Sequence, residues 1–280
     1  MFLRAIGGTE SAFDEIFKQR LPNFKYSISV SEVNKKRDIL WMHQSYDQPS
    51  VQNLKYTQTN FKKIVCVSNW QLEMFVKYLG IERSKCVVIS NGINPLPIYD
   101  KPADCINLVY SSTPFRGLDV LIEAFVELKM ENVFLHVFSS MKIYDRSDDD
   151  YQDLYAKIKR VKNTRYWGAV PSAFLQTWIA RYGHILTYPC TFEETFCCAV
   201  REAMSARCLV IAPNLGALFE TNPFCINYDN FLDKLKQVIV NYPEYANTYL
   251  DAQKEFADER SWDVKAREWM KLSDQLDLEN

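Results

Sequence analysis

The 280-residue sequence has little of what builds most metal and disulfide sites. It contains only three histidines, and its eight cysteines are scattered through apolar segments without a Cys-x-x-Cys pair. The sequence therefore predicts no zinc site and favours buried thiols in a reducing compartment. Glycine is also scarce, at 8 residues. A Gly-x-Gly-x-x-Gly loop after a strand is lacking, which disfavours an NAD-linked dehydrogenase.

The sequence also lacks an excess of one charge and a long hydrophobic run. Its 33 basic and 35 acidic residues give a net charge of −2, which excludes the basic surface of a general nucleic-acid binder. No apolar run reaches the roughly 18 residues of a membrane span. Arg4 and Glu10 interrupt the segment where a signal peptide would be apolar. We therefore expect a cytoplasmic protein that does not bind nucleic acid and contacts membranes, if at all, only peripherally.

The sequence does have a regular alternation of short apolar runs and amphipathic segments. The amphipathic segments predict helices, and strand–helix alternation at this spacing is typical of an α/β architecture with parallel sheets. The apolar runs are rich in Val, Ile and Tyr and predict ten strands, at residues 26–30, 38–42, 63–67, 86–89, 106–110, 133–138, 165–167, 184–188, 209–212 and 225–227.

A proline-rich segment at residues 91–103 indicates a domain boundary. It contains three prolines and an Asn-Gly turn. A prior of about 150 residues per domain also favours two domains in a chain of this length. We expect an N-terminal lobe at residues 1–95, a C-terminal lobe at 100–245, and helices at 246–280 that return toward the first lobe.

Two glutamates in the second half of the chain follow a predicted strand. Glu194 lies in the loop after residues 184–188, and Glu202 lies eight positions later, inside the next predicted helix. In open parallel sheets, ligands bind at the carboxyl ends of strands, near the start of the following helix. Carboxylates accept hydrogen bonds from hydroxyls. The pair therefore indicates a site for a polyol such as a ribose or a sugar, although two solvated surface glutamates could have the same spacing.

The two glutamates resemble the Glu-x7-Glu motif of retaining glycosyltransferases of the GT-B fold, in particular glycosyltransferase family 4. The resemblance implies an α/β protein with two Rossmann-like lobes, parallel sheets and a cleft between the lobes, the first lobe being shortened. Further segments resemble the family in order and spacing across nearly the whole chain: Gly7-Gly8-Thr9-Glu10, VCVSNWQ at 65–71, VISNGI at 88–93, RGLDVLIEAF at 116–125, Trp167-Gly168, Tyr188-Pro189, GALFE at 216–220, and Phe256 with Ser261-Trp262.

The resemblance implies roles for residues around the two glutamates. Glu202 would hold the ribose hydroxyls of a nucleotide, and Glu194 would contact hydroxyls of the transferred sugar. Arg116 would bind the diphosphate leaving group, where a fixed guanidinium stabilises the charge that grows as the glycosidic bond breaks. The backbone N–H groups that lie against the sugar would belong to Phe196, Cys197, Cys198 and Ala199.

In the first lobe, two glycines and one histidine carry the implied roles. Gly7 and Gly8 would let the backbone approach the diphosphate, because no Cβ intrudes. His43 would reach the donor sugar, although a histidine at a strand end can equally be structural. The high aromatic content of 14% favours an acceptor surface near Trp41, Tyr46 and Trp70.

The implied reaction is front-face transfer from a nucleotide-diphosphate sugar to a hydroxyl of a glycan or glycoconjugate. The sequence offers no carboxylate dyad like that of retaining glycosidases, so the departing phosphate oxygen is expected to take the acceptor proton. We expect no metal and no cofactor beyond the nucleotide sugar, since Arg116 and helix ends can supply positive charge. The chain departs from the family at residues 110–115, which lack a second diphosphate-binding cation, and at residues 197–199, where Cys-Cys-Ala replaces Gly-x-Pro.

Two other interpretations remain open from the sequence. One is another enzyme on the same fold, such as a nucleotide-sugar epimerase. The other is a non-catalytic subunit that binds a nucleotide sugar. A shortened first lobe favours the subunit, whereas the presence of Glu194, Glu202 and Arg116 disfavours it.

Overall fold

The structure, a computed structural model, describes residues 8–279 and contains two separate parallel sheets. The first sheet has the order β1-β2-β3-β4, so each strand pairs with its neighbour in sequence. Its strands are β1 (Ile28–Val30), β2 (Ile39–Met42), β3 (Lys63–Cys66) and β4 (Cys86–Val88). Parallel sheets bury both faces, so their strands are continuous apolar runs. The Ile-Leu-Trp-Met of β2 is buried at every position.

The second sheet has the order β7-β6-β5-β8-β9. Its strands are β5 (Ile106–Ser111), β6 (Val133–Phe138), β7 (Thr164–Tyr166), β8 (Ile185–Thr187) and β9 (Leu209–Ile211). The chain runs outward from β5 through β6 and β7, then crosses to the other side of β5 to form β8 and β9. A parallel sheet opens a crevice at such a reversal, at the carboxyl ends of the two strands involved.

Helices connect most of the strands and cover the faces of the sheets. No helix within residues 8–279 combines the length and the apolarity that crossing a bilayer requires. A π-helical segment, Asp14–Arg20, continues the first helix. The α-helices are α1 (Gly8–Phe13), α2 (Leu54–Thr57), α3 (Asn69–Leu79), α4 (Leu118–Leu128), α5 (Gln152–Arg160), α6 (Ser172–Tyr182), α7 (Cys198–Ser205), α8 (Leu218–Thr221), α9 (Phe231–Val240), α10 (Tyr242–Asp258) and α11 (Trp262–Leu278).

The parallel α/β architecture predicted from the sequence is confirmed, with one strand corrected. Nine of the ten predicted strands are present within a residue or two of their expected bounds. The tenth, at residues 225–227, is wrong as a strand, because it makes only a single bridge, between Ile226 and Ile211. Ile226 N donates to Val210 O at 2.9 Å and Ala212 N donates to Ile226 O at 3.3 Å, so the segment adds one paired residue beside β9 and no strand.

The second sheet separates two hydrophobic cores. Because side chains alternate along a strand, Leu108 of β5 lies in one core and Val109 in the other. Helices α4, α5 and α9 cover the first face, and α6, α7 and the end of α10 cover the second. This arrangement holds β5 and β8 rigidly between two layers, so the loops at their ends are built on a fixed base.

The last helix packs on the first sheet and not on the second. Trp269 of α11 packs edge-to-face against Trp41 at 5.1 Å and against Phe17 at 5.0 Å between ring centroids. At the start of α11, Trp262 N donates to Ile93 O at 3.0 Å. Trp41 is 0% exposed. The expectation that Trp41 belongs to an acceptor surface is therefore wrong, since it is a core residue.

Candidate functional site

The candidate site lies at the carboxyl ends of β5 and β8, where the strand order of the second sheet reverses. The loop after β5 carries Arg116, and the loop after β8 carries Glu194. The two loops approach closely at Gly117, which has φ +82°; a Cβ there would lie 1.9 Å from Pro189 O. Only glycine fits this position, so the Arg-Gly dipeptide lets the two loops meet.

Arg116 and Glu194 form a largely buried ion pair between these loops. Arg116 Nε donates to Glu194 Oε1 at 2.8 Å, and the side chains are 17% and 7% exposed. The Tyr188 hydroxyl donates to the same carboxylate oxygen at 2.7 Å, and Arg116 also donates to Thr113 Oγ1. The two residues to which the family resemblance assigns the diphosphate and the sugar are thus in direct contact.

Arg116 remains protonated throughout the physiological pH range. Burial by itself lowers its pKa, but the Glu194 carboxylate and neighbouring tyrosines outweigh burial and hold the pKa above its usual value. The guanidinium carbon lies 4.7 Å from the ring centre of Phe115 and 5.5 Å from that of Phe192. Cation–π attraction to these rings helps to fix a permanent positive charge beside the strand ends.

Helix α7 begins just after the Glu194 loop and offers backbone donors. Cys197 is its N-cap residue and makes no side-chain capping bond. The first helical hydrogen bond runs from Arg201 N to Cys197 O at 3.2 Å, so the preceding N–H groups of the first turn have no intrahelical acceptor. The start of a helix in this state favours an anionic or polar ligand. The predicted sugar-contacting segment, Phe196, Cys197, Cys198 and Ala199, occupies this start.

Glu202 lies one turn further along α7, at the same helical face as Cys198. Its Oε1 accepts a hydrogen bond from Gln176 Nε2 of α6 at 3.0 Å. Burial raises the pKa of Glu202, and the Gln176 amide acts in the opposite direction. Burial and the nearby Glu202 charge also raise the pKa of the Cys198 thiol to about 12. Since a carboxylate has about four acceptor positions, Glu202 retains capacity to accept hydroxyls from a ligand.

His43 connects the first lobe to this site. It follows β2, and its Nε2 lies 3.3 Å from Asn91 Oδ1, while its backbone oxygen accepts a bond from Thr195 Oγ1 at 2.8 Å. Burial lowers the pKa of His43 to about 4, although the Asn91 contact opposes that shift. His43 is therefore neutral near pH 7. Its Nδ1 is buried and has no hydrogen-bond partner within residues 8–279.

Asn91 is a site residue that sequence reasoning missed. The sequence indicates only a turn at Asn91-Gly92. The structure buries Asn91 to 3% exposure, with its amide group between His43 and Cys198. Its Nδ2 donates to Cys198 Sγ at 3.8 Å, so one side chain joins the two lobes. The available signal was an amide residue three positions after the last residue of β4, on the side of the first sheet where its strands have their carboxyl ends.

The predicted glycine loop is only partly described by the structure. Gly7 lies outside the described residues. Gly8 is the first residue of α1. The proposed approach of this loop to a diphosphate therefore stays a prediction.

Comparisons with known proteins identify the fold. No protein-family model matches the chain, and no curated protein sequence matches it significantly. Solved structures do match. A glycosyltransferase from Rickettsia africae is 19% identical over 84% of this chain and 76% of its own, with a TM-score of 0.64. Anabaena HepE in complex with UDP-glucose is 14% identical over 98% of both chains, with a TM-score of 0.72. Sucrose-phosphate synthase from Thermosynechococcus elongatus is 15% identical over 96% of this chain and 78% of its own, with a TM-score of 0.73.

At these identities the matches establish the fold and not the family. Near-complete coverage of both chains in the HepE comparison means that the likeness includes both sheets. The chain therefore has the GT-B fold of these glycosyltransferases, as its sequence predicts, and residues 8–279 include four strands in the first lobe and five in the second.

Proposed function

We propose that this protein is a retaining glycosyltransferase that moves a sugar from a nucleoside-diphosphate donor to a hydroxyl of a glycan or glycoconjugate. The observation that carries the proposal is the buried pair Arg116–Glu194 at the strand ends, beside the open first turn of α7. The likeness to HepE, which was solved with UDP-glucose, supports the same class of donor. Positive charge, backbone donors and hydroxyl acceptors are all available at one edge of the second sheet.

Each side chain has a role that fits its surroundings. Glu202 would accept the two ribose hydroxyls, and the N–H groups at the start of α7 would face the diphosphate and the sugar. Arg116 would bind the diphosphate and Glu194 the sugar hydroxyls, so a donor that bridged the pair would have both groups already oriented by their mutual ion pair. In the first lobe, His43, which is neutral near pH 7, would lie beside the donor sugar.

The reaction would proceed on one face of the sugar. The bond between the anomeric carbon and the β-phosphate oxygen breaks, and the leaving nucleoside diphosphate keeps the bonding electrons. Arg116 stabilises that growing charge more strongly than the ground state. The acceptor oxygen then bonds to the anomeric carbon on the face that the phosphate leaves, and its proton passes to the departing phosphate oxygen. Glu194 is held by Arg116 and Tyr188, which makes it a poor covalent nucleophile.

A panel of nucleotide sugars tests the proposal. The protein is incubated with each donor, first alone and then with mixed oligosaccharide acceptors, and the nucleotide products are separated by chromatography. We expect slow release of nucleoside diphosphate from one donor, and faster release when an acceptor is present. Interconversion of sugars without release would support an epimerase. Binding without turnover would support a non-catalytic subunit, and either result would overturn the transferase proposal.

An aromatic surface on the first lobe is the proposed acceptor platform. It consists of Tyr46, Trp70 and Tyr78: the rings of Tyr46 and Tyr78 stack with centroids 4.6 Å apart, and Tyr46 meets Trp70 edge-on at 6.1 Å. Trp70 also lines an interlobe cavity of about 480 Å³, opposite Phe219 of the second lobe. Flat apolar rings beside polar groups suit the two faces of a sugar ring.

We expect Trp70→Ala to raise the acceptor KM about tenfold, since burying roughly 60 Å² of apolar sugar surface is worth about 1.5 kcal/mol. The rate of donor hydrolysis without acceptor should remain within about twofold, because the substitution leaves the donor side intact. Initial rates against acceptor and donor concentration measure both effects. Tyr56→Ala is the matched control, since Tyr56 is 73% exposed on α2 of the same lobe. An unchanged acceptor KM in Trp70→Ala would remove the platform from the proposal.

A further inference from the structure

One carboxylate of the second lobe accepts hydrogen bonds from the start of a helix in the first lobe. Glu220, on α8, accepts hydrogen bonds from Asn69 N at 2.8 Å and Asn69 Nδ2 at 3.0 Å on one oxygen, and from Trp70 N at 2.6 Å on the other. We call these three bonds the Glu220 clasp. They join residues 150 or 151 positions apart in sequence, and all three donors belong to the start of α3.

The clasp fits the electrostatics of α3. The first N–H groups of a helix have no intrahelical acceptor and carry its positive dipole end. The side chain of the helix's own cap, Ser68, accepts from Gln71 N. Asn69 and Trp70, the first two residues of this 11-residue helix, direct their N–H groups at Glu220 instead. Charge-assisted bonds of this kind are stronger than neutral ones, and here they form only when the two lobes are in contact.

The clasp is also joined to the Glu194 loop by backbone contacts. Glu194 forms a parallel bridge with Gly216, and Ala217 N donates to Glu194 O at 2.7 Å. The contact is so close that a Cβ on Gly216 would lie 2.5 Å from that oxygen. Helix α8 starts one residue after Ala217. A continuous path of backbone contacts therefore connects Glu220 to Glu194.

The other side of Glu194 is tied to the first lobe as well. The next residue, Thr195, donates through its hydroxyl to His43 O at 2.8 Å. Glu194 thus lies between two interlobe contacts, one made by its neighbour in sequence and one made through Gly216 and α8. Its side chain, paired with Arg116, is oriented by a backbone that both lobes hold.

We propose that Glu220 is a positioning residue that couples closure of the two lobes to the placement of the Glu194–Arg116 pair. The closed arrangement sets the carboxylate and the guanidinium for the donor, and release of the clasp loosens both. The placement of the Glu194–Arg116 pair for a donor rests on the proposed transferase function. The control of lobe closure by Glu220 does not rest on it, because closure can be measured without any substrate.

Substitutions from both lobes test the clasp. Glu220→Ala and Glu220→Gln alter the acceptor, and Asn69→Pro removes two of the three donors from the other lobe. Proline is well tolerated at the first position of a helix, and Ser68 has the extended conformation, with ψ 159°, that a following proline requires. Glu255→Gln is the charge-matched control, on the exposed side of α10.

Closure is measured on the substrate-free protein by small-angle scattering and by amide hydrogen exchange at Asn69 and Trp70. We expect Glu220→Ala and Asn69→Pro to increase the radius of gyration, and Glu220→Ala to speed exchange of both amides about tenfold or more. Glu255→Gln should match the wild type. If Glu220→Ala leaves both scattering and exchange unchanged while its melting curve shows a folded protein, the clasp does not control closure and the proposal is overturned.

Coupling to the site is measured with the donor that the panel selects. We expect Glu220→Ala and Asn69→Pro each to lower kcat for donor hydrolysis about tenfold with less effect on KM, and their double variant to lose little more than either alone, as residues of one contact do. Glu220→Gln should retain part of kcat. If Glu220→Ala changes the scattering but not kcat, Glu220 controls closure of the lobes but does not position the Glu194–Arg116 pair, and the proposed coupling is overturned. If no donor turns over in the wild type, the proposed function fails, and scattering still decides whether Glu220 closes the lobes.

Discussion

Replacing Arg116 with methionine should lower the rate constant for donor cleavage by about 10²- to 10³-fold, the cost of removing one fixed donor from a developing oxyanion. The affinity for the nucleoside diphosphate should fall much less, because the α7 N-terminus and Glu202 still bind it. Methionine keeps an unbranched apolar stem between Phe115 and Phe192. Single-turnover donor hydrolysis gives the rate constant, and calorimetric titration gives the affinity. Equal losses in both would mean that Arg116 binds the ground state as strongly as the transition state.

The same substitution should also destabilise the fold, and its controls separate the two effects. Without Arg116, the 7%-exposed carboxylate of Glu194 loses its ion-pair partner, which typically costs about 3–5 kcal/mol. Arg116→Lys keeps the charge but loses the planar fork, so it should fold well and recover part of the rate. The double variant Arg116→Met with Glu194→Gln should recover stability and not the rate, because it lacks both the guanidinium and the carboxylate that would hold the donor. If the double variant recovered both, the rate loss in the single variant would come from unfolding.

The sequence predicted the second lobe better than the contacts between lobes. Buried parallel strands have a local signature, a short apolar run bounded by turn residues, and this located β5 through β9 within a residue or two. The carboxyl-end rule then placed Glu194 and Glu202 at one edge of the sheet, and the family resemblance added Arg116. The ion pair between Arg116 and Glu194 forms because the two loops approach closely where Gly117 meets Pro189. The spacing of residues along the sequence does not predict that approach.

Trp41, Asn91 and Glu220 show what local patterns omit. The local sequence around a tryptophan does not distinguish a fully buried strand from a half-exposed one. Trp41 is buried because α11, more than 200 positions away in sequence, covers it. Asn91 and Glu220 each contact the opposite lobe, so their roles exist only in the assembled cleft. Contacts between the lobes cannot be predicted from local sequence patterns, because they depend on how the two separately packed lobes are arranged relative to each other.

Replacing Glu202 with alanine should weaken binding of the nucleoside diphosphate by about 30- to 150-fold, or about 2–3 kcal/mol, as expected when hydrogen bonds to a charged group are lost and ligand hydroxyls are left unpaired. Gln176 on α6, which donates to Glu202 at 3.0 Å, should matter less, since it orients the carboxylate without meeting the ligand. Gln176→Ala is therefore the matched control, with an expected loss of only a fewfold. Titration calorimetry with the diphosphate that the donor panel selects measures both variants.

The pH dependence of ribose binding gives an independent test of the same residue. Burial raises the pKa of Glu202, and the ionised carboxylate accepts hydrogen bonds from the ribose hydroxyls more strongly than the protonated acid does. Affinity should therefore be full above that raised pKa and fall as the pH drops through it, earlier than for an ordinary glutamate. The free nucleoside is the appropriate probe, because it carries the ribose without a phosphate that titrates in the same range. Glu202→Gln should bind the nucleoside weakly and almost independently of pH, and both profiles should extend below the ordinary glutamate pKa of about 4.3. A wild-type profile as flat as that of Glu202→Gln would exclude Glu202 as the ribose ligand, and equal slopes in both proteins would assign the titration to another group.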